Sequence, residues 1–198
     1  MSKKILVLSD LHIGKRVSLM PDEVYLDQHE RKMRIESNTI QQKIYKKWNE
    51  MVDDVGKVDA VINLGDTCDG TNRKSSGTGL WTTDINLQME VAKDLLSMVK
   101  TNKYIGVQGS YYHVGDNLSS DRSIIQSLGG TFGDELAIIS EGKRIHASHD
   151  VGVSSSGSSY RTTSIAQQMM LSALNPEYKN FKLILRGHSH YYVRVSFS

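Results

Sequence analysis

The sequence contains little of what stabilises or anchors several large classes of protein. Cys68 is the single cysteine in 198 residues, which excludes an intrachain disulfide and a cysteine-rich zinc ribbon. Proline occurs twice, and no low-complexity tract or internal repeat divides the chain, so we expect one domain over residues 1–198. The apolar run near the first residue is too short for a signal segment or a membrane span, which predicts a cytoplasmic protein with no membrane partner.

A surplus of one charge sign is also absent. The 24 lysines and arginines nearly balance the 22 aspartates and glutamates, and the net charge is +2. This balance gives no support to nucleic acid as a partner, although it does not exclude it. The sequence carries no indication of an oligomeric state.

Short apolar runs alternate with helical patterns along the chain. Strands are predicted at residues 5–8, 58–64, 103–108 and 181–186, with a hairpin over 136–148. Helices are predicted over 38–55, from a cap at Asp84 onward, over 119–128 and over 162–174. The polar stretch 17–37 favours a long loop with at most one short helix. The repeated order of strand, motif and helix predicts an α/β sheet that binds ligands at the carboxyl ends of its strands.

Five of the seven histidines lie in short motifs that follow apolar runs and also carry aspartate or glycine. The motifs are Asp10-Leu11-His12, Gly65-Asp66-Thr67-Cys68-Asp69, Gly109-Ser110-Tyr111-Tyr112-His113, His149-Asp150 and Gly187-His188-Ser189-His190. Imidazole and carboxylate groups suit Mn, Fe, Zn or Ni. Together, the five motifs predict a site for two metal ions.

In this order, from Asp10 to His190, the motifs resemble the calcineurin-like metallophosphoesterase family, and the short chain is similar to its compact phage and archaeal members. The resemblance implies an αββα sandwich in which two mixed β-sheets are flanked by helices, with two metal ions at one edge. It implies Mn²⁺ as the first choice of ion, with Fe, Zn or Ni as alternatives. The implied reaction is hydrolysis of a phosphate monoester or diester by hydroxide bound to ions about 3.5–4 Å apart.

The resemblance also assigns the ligands. The first ion is bound by Asp10, His12, Asp66 and His190. The second ion is bound by Asp66, which bridges the two, and by His149 and His188. Because side chains two positions apart point the same way on an extended chain, His188 and His190 can each serve one ion.

Two further residues match the family's catalytic pair. His113 corresponds to the histidine that donates a proton to the leaving oxygen, and Asp69 corresponds to the acid that orients it. The third motif departs from the family's Gly-Asn-His, because it contains no asparagine. The Ser110 hydroxyl, a backbone carbonyl, a water or His113 itself could replace that ligand. If His113 is a ligand, it cannot also be the free acid.

Other residues have a plainer interpretation beside the functional one. Arg161 could clamp a phosphate oxygen of the substrate or be a surface cation at a helix start. His146, on the opposite face of a strand from His149, is expected to support a ligand or fill the core. Lys15 could attract an anionic substrate, although a solvated loop residue is the favoured interpretation, and Cys68 is expected to be a small buried residue.

Two other functions remain as alternatives to the enzyme. The altered third motif favours a phosphoesterase-like scaffold that has lost catalysis and binds a partner. A nuclease that processes DNA is the other alternative, and it requires metal-dependent cleavage of oligonucleotides.

Overall fold

The computed structural model describes residues 3–28, 31–72, 76–114, 120–149, 170, 181–188 and 190. In chain order its elements are β1 (Ile5–Leu8), β2 (Glu23–Gln28), β3 (Arg31–Glu36), α1 (Thr39–Val55), β4 (Ala60–Asn63), α2 (Ile85–Ser97), β5 (Tyr104–Val107), α3 (Tyr111–Val114), α4 (Ser120–Ser127), β6 (Thr131–Gly133), β7 (Glu135–Ser140), β8 (Lys143–Ser148) and β9 (Phe181–Arg186).

The main sheet has the strand order β1-β4-β5-β6, and each of its described pairings is parallel. Every residue of β4 and β5 is buried, which is why both strands are continuous apolar runs in the sequence. A second sheet has the order β7-β8-β9 and is mixed, with one antiparallel and one parallel pairing. The resemblance implied two mixed sheets, but among the described strands only the second sheet is mixed and the main sheet is parallel.

Alternating residues of β4 separate the layers of the fold. Val61 packs into a core cluster with α1, α2 and α4, whereas Ile62 packs into a second cluster with Ile138 and Ile145 of the other sheet. Because successive side chains of a strand point to opposite faces, the main sheet lies between the helices and the second sheet. The protein is thus a mixed α/β fold built on a parallel sheet.

Helices α1 and α2, which pack on the main sheet, begin at capping residues, of which Asp84 was predicted. The Asn38 side chain accepts hydrogen bonds from the first turn of α1, and the Gln41 side chain in turn accepts one from the Asn38 N–H. The Asp84 carboxylate caps α2 in the same way. The predicted helix over 162–174 lies outside the described residues. Within the described ranges, no helix is long and apolar enough to cross a membrane.

The expectation of a long loop over 17–37 was wrong, because this stretch contains a β-hairpin. Strands β2 and β3 pair antiparallel from Glu23 opposite Glu36 to Gln28 opposite Arg31. Val24 is buried and pairs with Ile35, which packs against the core. Apolar residues do alternate with polar ones here, but the high density of charge obscures that period in the sequence.

Gly65 offers a test of how closely the strand ends must approach one another. Its φ is +93°, and a Cβ there would lie 2.6 Å from the Gly109 backbone. Gly129 has a φ of +72° with nothing within 4 Å of its Cβ position, so it is a matched control. We expect Gly129→Ala to cost about 1–2 kcal/mol of stability through backbone strain alone. Gly65→Ala should cost about 1–3 kcal/mol more, because the backbones must separate.

Urea denaturation of both variants measures this difference through the transition midpoint at constant slope. Equal losses of stability in the two variants would show that a side chain at residue 65 does not force the two glycine backbones apart.

Candidate metal centre

The first two motifs lie side by side because the pairing of β1 with β4 continues past the ends of both strands. The Asp10 N–H donates to the Gly65 carbonyl at 3.0 Å, and the His12 N–H donates to the Asp66 carbonyl at 3.0 Å. The carboxyl ends of parallel strands meet at one edge of a sheet, so residues about 55 positions apart become neighbours.

Asp121 connects the second and third motifs through hydrogen bonds to their backbones. Its buried carboxylate accepts from the backbone N–H of Thr67 at 3.0 Å, of Gly109 at 3.0 Å and of Asp66 at 3.3 Å. Burial raises the pKa of Asp121 and these hydrogen bonds oppose that shift, with the pKa remaining above its ordinary value. The Asn63 side chain adds an acceptor for the Gly65 N–H at 3.0 Å.

The sequence interpretation missed Asp121 and Asn63. An acid in the first turn of a helix is ordinarily explained by the helix dipole, and an asparagine at a strand end is ordinarily a turn residue. No pattern in the sequence distinguishes these two residues from such common cases.

The candidate ligands share an unusual backbone conformation. Five of the six have φ between 47° and 69°, in the left-handed region that side chains other than glycine seldom adopt: Asp10, His12, Asp66, His188 and His190. Such conformations cost of order 1–3 kcal/mol each and cluster at functional sites.

The first cluster brings together Asp10, His12 and His190, whose ligand atoms all lie within 4.8 Å of one another. Asp10 Oδ1 lies 3.2 Å from His190 Nε2 and 3.9 Å from His12 Nε2. The two Nε2 atoms are 3.0 Å apart. The set contains three of the four predicted ligands of the first ion. The fourth, Asp66, does not belong to this group and is instead grouped with His12 and His113 and with His149 and His188.

The second cluster brings together Asp66, His149 and His188 under the same distance limit. Asp66 Oδ2 lies 3.1 Å from His149 Nε2, which lies 3.2 Å from His188 Nδ1. His188 and His190 thus belong to different clusters, as predicted. The predicted reason was wrong, since both residues have a positive φ and neither is extended.

Asp69 is completely buried and supports two imidazoles through one oxygen atom. Its Oδ1 accepts from His12 Nδ1 at 3.0 Å and from His113 Nδ1 at 3.2 Å, and Lys15 Nζ lies 3.0 Å from the same atom. Burial alone would raise the pKa of Asp69, but the hydrogen bonds from these three groups hold it below its ordinary value. Lys15 is therefore an ion-pair partner of the site, and the favoured interpretation as a solvated loop residue was wrong.

The third motif places Ser110 and His113 close to the carboxylate of Asp66. The Ser110 hydroxyl lies 3.0 Å and 3.2 Å from the two Asp66 oxygens, and its N–H donates to Asp66 Oδ1 at 2.7 Å. His113 Nε2 lies 3.9 Å from Asp66 Oδ2, and His12, Asp66 and His113 form a third group within the 4.8 Å limit. Burial alone lowers the pKa of His113, but Asp69 and Asp66 raise it above its ordinary value.

The lone pairs of the candidate ligands are arranged as they would be around a bound cation. His149 Nδ1 donates to the Leu64 carbonyl at 2.7 Å, so in the neutral ring Nε2 is the acceptor nitrogen, and it faces the Asp66 carboxylate. Asp10 Oδ1 is buried, and no hydrogen bond from the described residues reaches it. Electron pairs that face one another need a positive charge between them. Burial lowers the pKa of His149, but Asp66 outweighs this effect and raises it to about 8, so a proton can take that place when no metal is bound.

The remaining predicted residues divide into three cases. His146 contacts Glu135 at 3.2 Å and the Phe181 ring, away from the three groups, so the structure brings His149 to the site instead. Cys68 is buried, as predicted. Arg161 lies outside the described residues.

Comparisons with known proteins leave the family open. No protein-family profile matches the chain, and no curated protein matches it. Among the matching solved structures is a protein of unknown function from Aquifex aeolicus, with a TM-score of 0.46 and 17% sequence identity over 96% of this chain and 81% of that one. A likeness of this degree assigns no function.

Metal binding has a measurable consequence for stability. A cation that binds only the folded protein adds about 2.7 kcal/mol at a free concentration 100-fold above its Kd, which raises the unfolding temperature by roughly 5–10 °C at this chain length. We expect Mn²⁺ to produce such a rise and a chelator to reverse it. Asp66→Asn should greatly reduce the rise, because it removes a charged oxygen that belongs to two of the three groups.

Asp53→Asn, which removes an exposed acid from α1, should retain the full rise and serves as the control. Thermal unfolding followed by circular dichroism gives the comparison. An undiminished rise in Asp66→Asn would show that the cations bind elsewhere.

Proposed function

We propose that the protein is a two-metal phosphoesterase of the calcineurin-like kind, folded as an αββα sandwich, which hydrolyses a phosphate monoester or diester. One observation carries the proposal: the buried carboxylate of Asp66 belongs both to the group with His149 and His188 and to the group with His12 and His113. A carboxylate shared in this way is the simplest means of holding two like charges close together.

The donor set suits two divalent ions such as Mn²⁺, with Fe, Zn or Ni as alternatives. When bound, such ions lower the pKa of water and stabilise the charge that develops on a phosphoryl oxygen. Asp10, His12 and His190 would hold one ion, and His149 and His188 the other. Asp66 is ionised for this role: burial raises its pKa, but His149, His113 and the Ser110 N–H together hold the pKa below its ordinary value.

His113 is positioned to move a proton. Its Nδ1 is engaged by Asp69, through Oδ1 at 3.2 Å and through the backbone carbonyl at 3.0 Å. The free nitrogen is therefore Nε2, on the side of the shared carboxylate. A protonated Nε2 can donate to the leaving oxygen of an ester, and the raised pKa of His113 favours the protonated ring.

Metal-dependent turnover of simple esters tests the proposed function. We expect Mn²⁺-loaded protein to hydrolyse an aryl phosphate or a bis-aryl phosphate, and we expect chelator or Asp66→Asn to reduce the rate to background. Asp53→Asn should keep the wild-type rate. Inactivity in every metal, combined with tight binding of a partner, would instead support the scaffold function. Cleavage of oligonucleotides in preference to both aryl esters would support the nuclease.

The role of His113 is tested by the choice of leaving group. A general acid is worth about 10²–10⁴ in rate when the departing oxygen needs a proton. His113→Gln should therefore slow hydrolysis of an alkyl phosphate by that factor and slow hydrolysis of p-nitrophenyl phosphate far less, since p-nitrophenolate leaves unprotonated. Mn²⁺ affinity measured by calorimetry should change little.

His146→Gln, at a buried histidine outside the three groups, should preserve the ratio of the two rates. An equal loss on both substrates, together with weaker Mn²⁺ binding, would identify His113 as the missing ligand and remove it from proton transfer.

A further inference from the structure

A groove of about 580 Å³ opens beside the first cluster. It lies between the end of β1, the segment that follows His12 and helix α1. Three of its wall residues, Asp10, His12 and His190, are the members of the first cluster itself. A molecule in the groove would therefore contact the candidate metal centre directly.

The groove is mainly apolar away from the cluster. Its wall includes Leu11, Leu19, Ile44, Trp48 and Met51. The volume falls within the range of sites that hold small organic molecules, about 300–1,000 Å³. If divalent ions are bound by the first cluster, an apolar recess beside it is suited to a ligand with one anionic end and one apolar end.

Two lysines contribute to the described lining of the groove, and each of them is paired with a carboxylate. Lys15 and Lys47 both line it, and Asp10 is the one acid among the described lining residues. Lys15 lies at the inner end, because its Nζ is 3.0 Å from Asp69 Oδ1. Lys47 is on the exposed surface of α1, with its side chain 79% accessible, and pairs with Glu50.

The walls of the groove are held in place by the start of α1. The Gln41 side chain donates to the Lys15 carbonyl at 3.2 Å, and the Ser18 hydroxyl donates to the same oxygen at 2.9 Å. Trp48 and Leu19 are almost completely buried in the core beneath. The groove is therefore built into the fold, and its shape does not depend on exposed side chains alone.

We propose that this groove binds the alcohol group of the substrate and that the substrate is a phosphate ester of an apolar, chain-like alcohol. The inference rests on the proposed function and specifies its substrate class. A phosphate at the metal centre leaves the rest of the ester to lie along the adjoining wall, which here is apolar. A nucleic acid strand would instead place charged and polar groups against these side chains, at a cost in desolvation.

A series of alkyl phosphates tests the proposal in the Mn²⁺-loaded protein. Methyl, butyl, hexyl and octyl phosphate share one phosphate and one kind of leaving group, and each is used below the concentration at which it forms micelles. We expect kcat/KM, measured as released inorganic phosphate, to rise about three- to fourfold for each methylene that enters the groove.

Binding gives a second reading that does not depend on turnover. Octylphosphonate, which is not hydrolysed, should bind the Mn²⁺-loaded protein more than tenfold tighter than methylphosphonate in calorimetry. Its heat-capacity change on binding should be more negative, which is the signature of apolar burial.

Two variants on one helix locate the effect. Ile44→Asn puts a polar group in the groove wall and should collapse the octyl-to-methyl ratio of kcat/KM. Ile40 is one turn earlier, 53% exposed and outside the groove, so Ile40→Asn should keep the wild-type ratio. If Ile44→Asn does not fold, Val17→Asp replaces it, since Val17 also lines the groove and is 62% exposed.

The outcomes separate this inference from the proposed function. Equal kcat/KM for methyl and octyl phosphate, with turnover still dependent on metal, would overturn the groove assignment and leave the phosphoesterase intact. Octylphosphonate that binds no tighter than methylphosphonate would overturn it as well. Absence of turnover with every ester and metal would overturn the proposed function itself.

Discussion

The buried charge of Asp66 is the constraint on which the rest of the site depends. A carboxylate that is 2% exposed is costly unless donors and positive charge surround it. Ser110 supplies an N–H and a hydroxyl, His149 supplies an imidazole, and the backbone of Asp66 is itself fixed by Asp121. These partners come from three different segments, so the burial of this one charge requires that the strand ends meet.

The strained backbone of the candidate ligands shows that bringing the strand ends together costs conformational free energy. Asp10, His12 and Asp66 adopt left-handed conformations directly after strands that are regular and well packed. The strain is explained if the side chains must point at common positions, since a left-handed residue redirects its side chain without lengthening the loop. Cations bound at those positions would offset the strain and the repulsion between the carboxylates, which couples stability to metal binding.

The sequence predicted the parts of the structure that follow from local patterns. The apolar run over 58–64, where β4 forms, and the cap at Asp84 each specify an element through its own residues. The motifs at the strand ends then converge because parallel strands share an edge. The hairpin of β2 and β3 could not be predicted as readily, since charge obscures its alternation. The role of Asp121 and the ion pair of Lys15 could not be predicted either. The partner of Lys15 and two of the N–H donors to Asp121 lie more than 50 positions away, and the local sequence contains no trace of such partners.

Asp69 shows how the third motif can depart from its expected form while the site remains connected. One oxygen of Asp69 holds the Nδ1 atoms of both His12, in the first cluster, and His113, beside Asp66. Fixing Nδ1 in each ring leaves Nε2 as the outward nitrogen, so a candidate ligand and a candidate acid acquire their orientation from the same buried group. Hydrogen bonds from His113, His12 and Lys15 together hold the pKa of Asp69 below its ordinary value in spite of its burial. Ser110, at the position where the motif lacks asparagine, donates its hydroxyl to the Asp66 carboxylate. His113 therefore lies within reach of both clusters, since it is grouped with His12 of the first and Asp66 of the second.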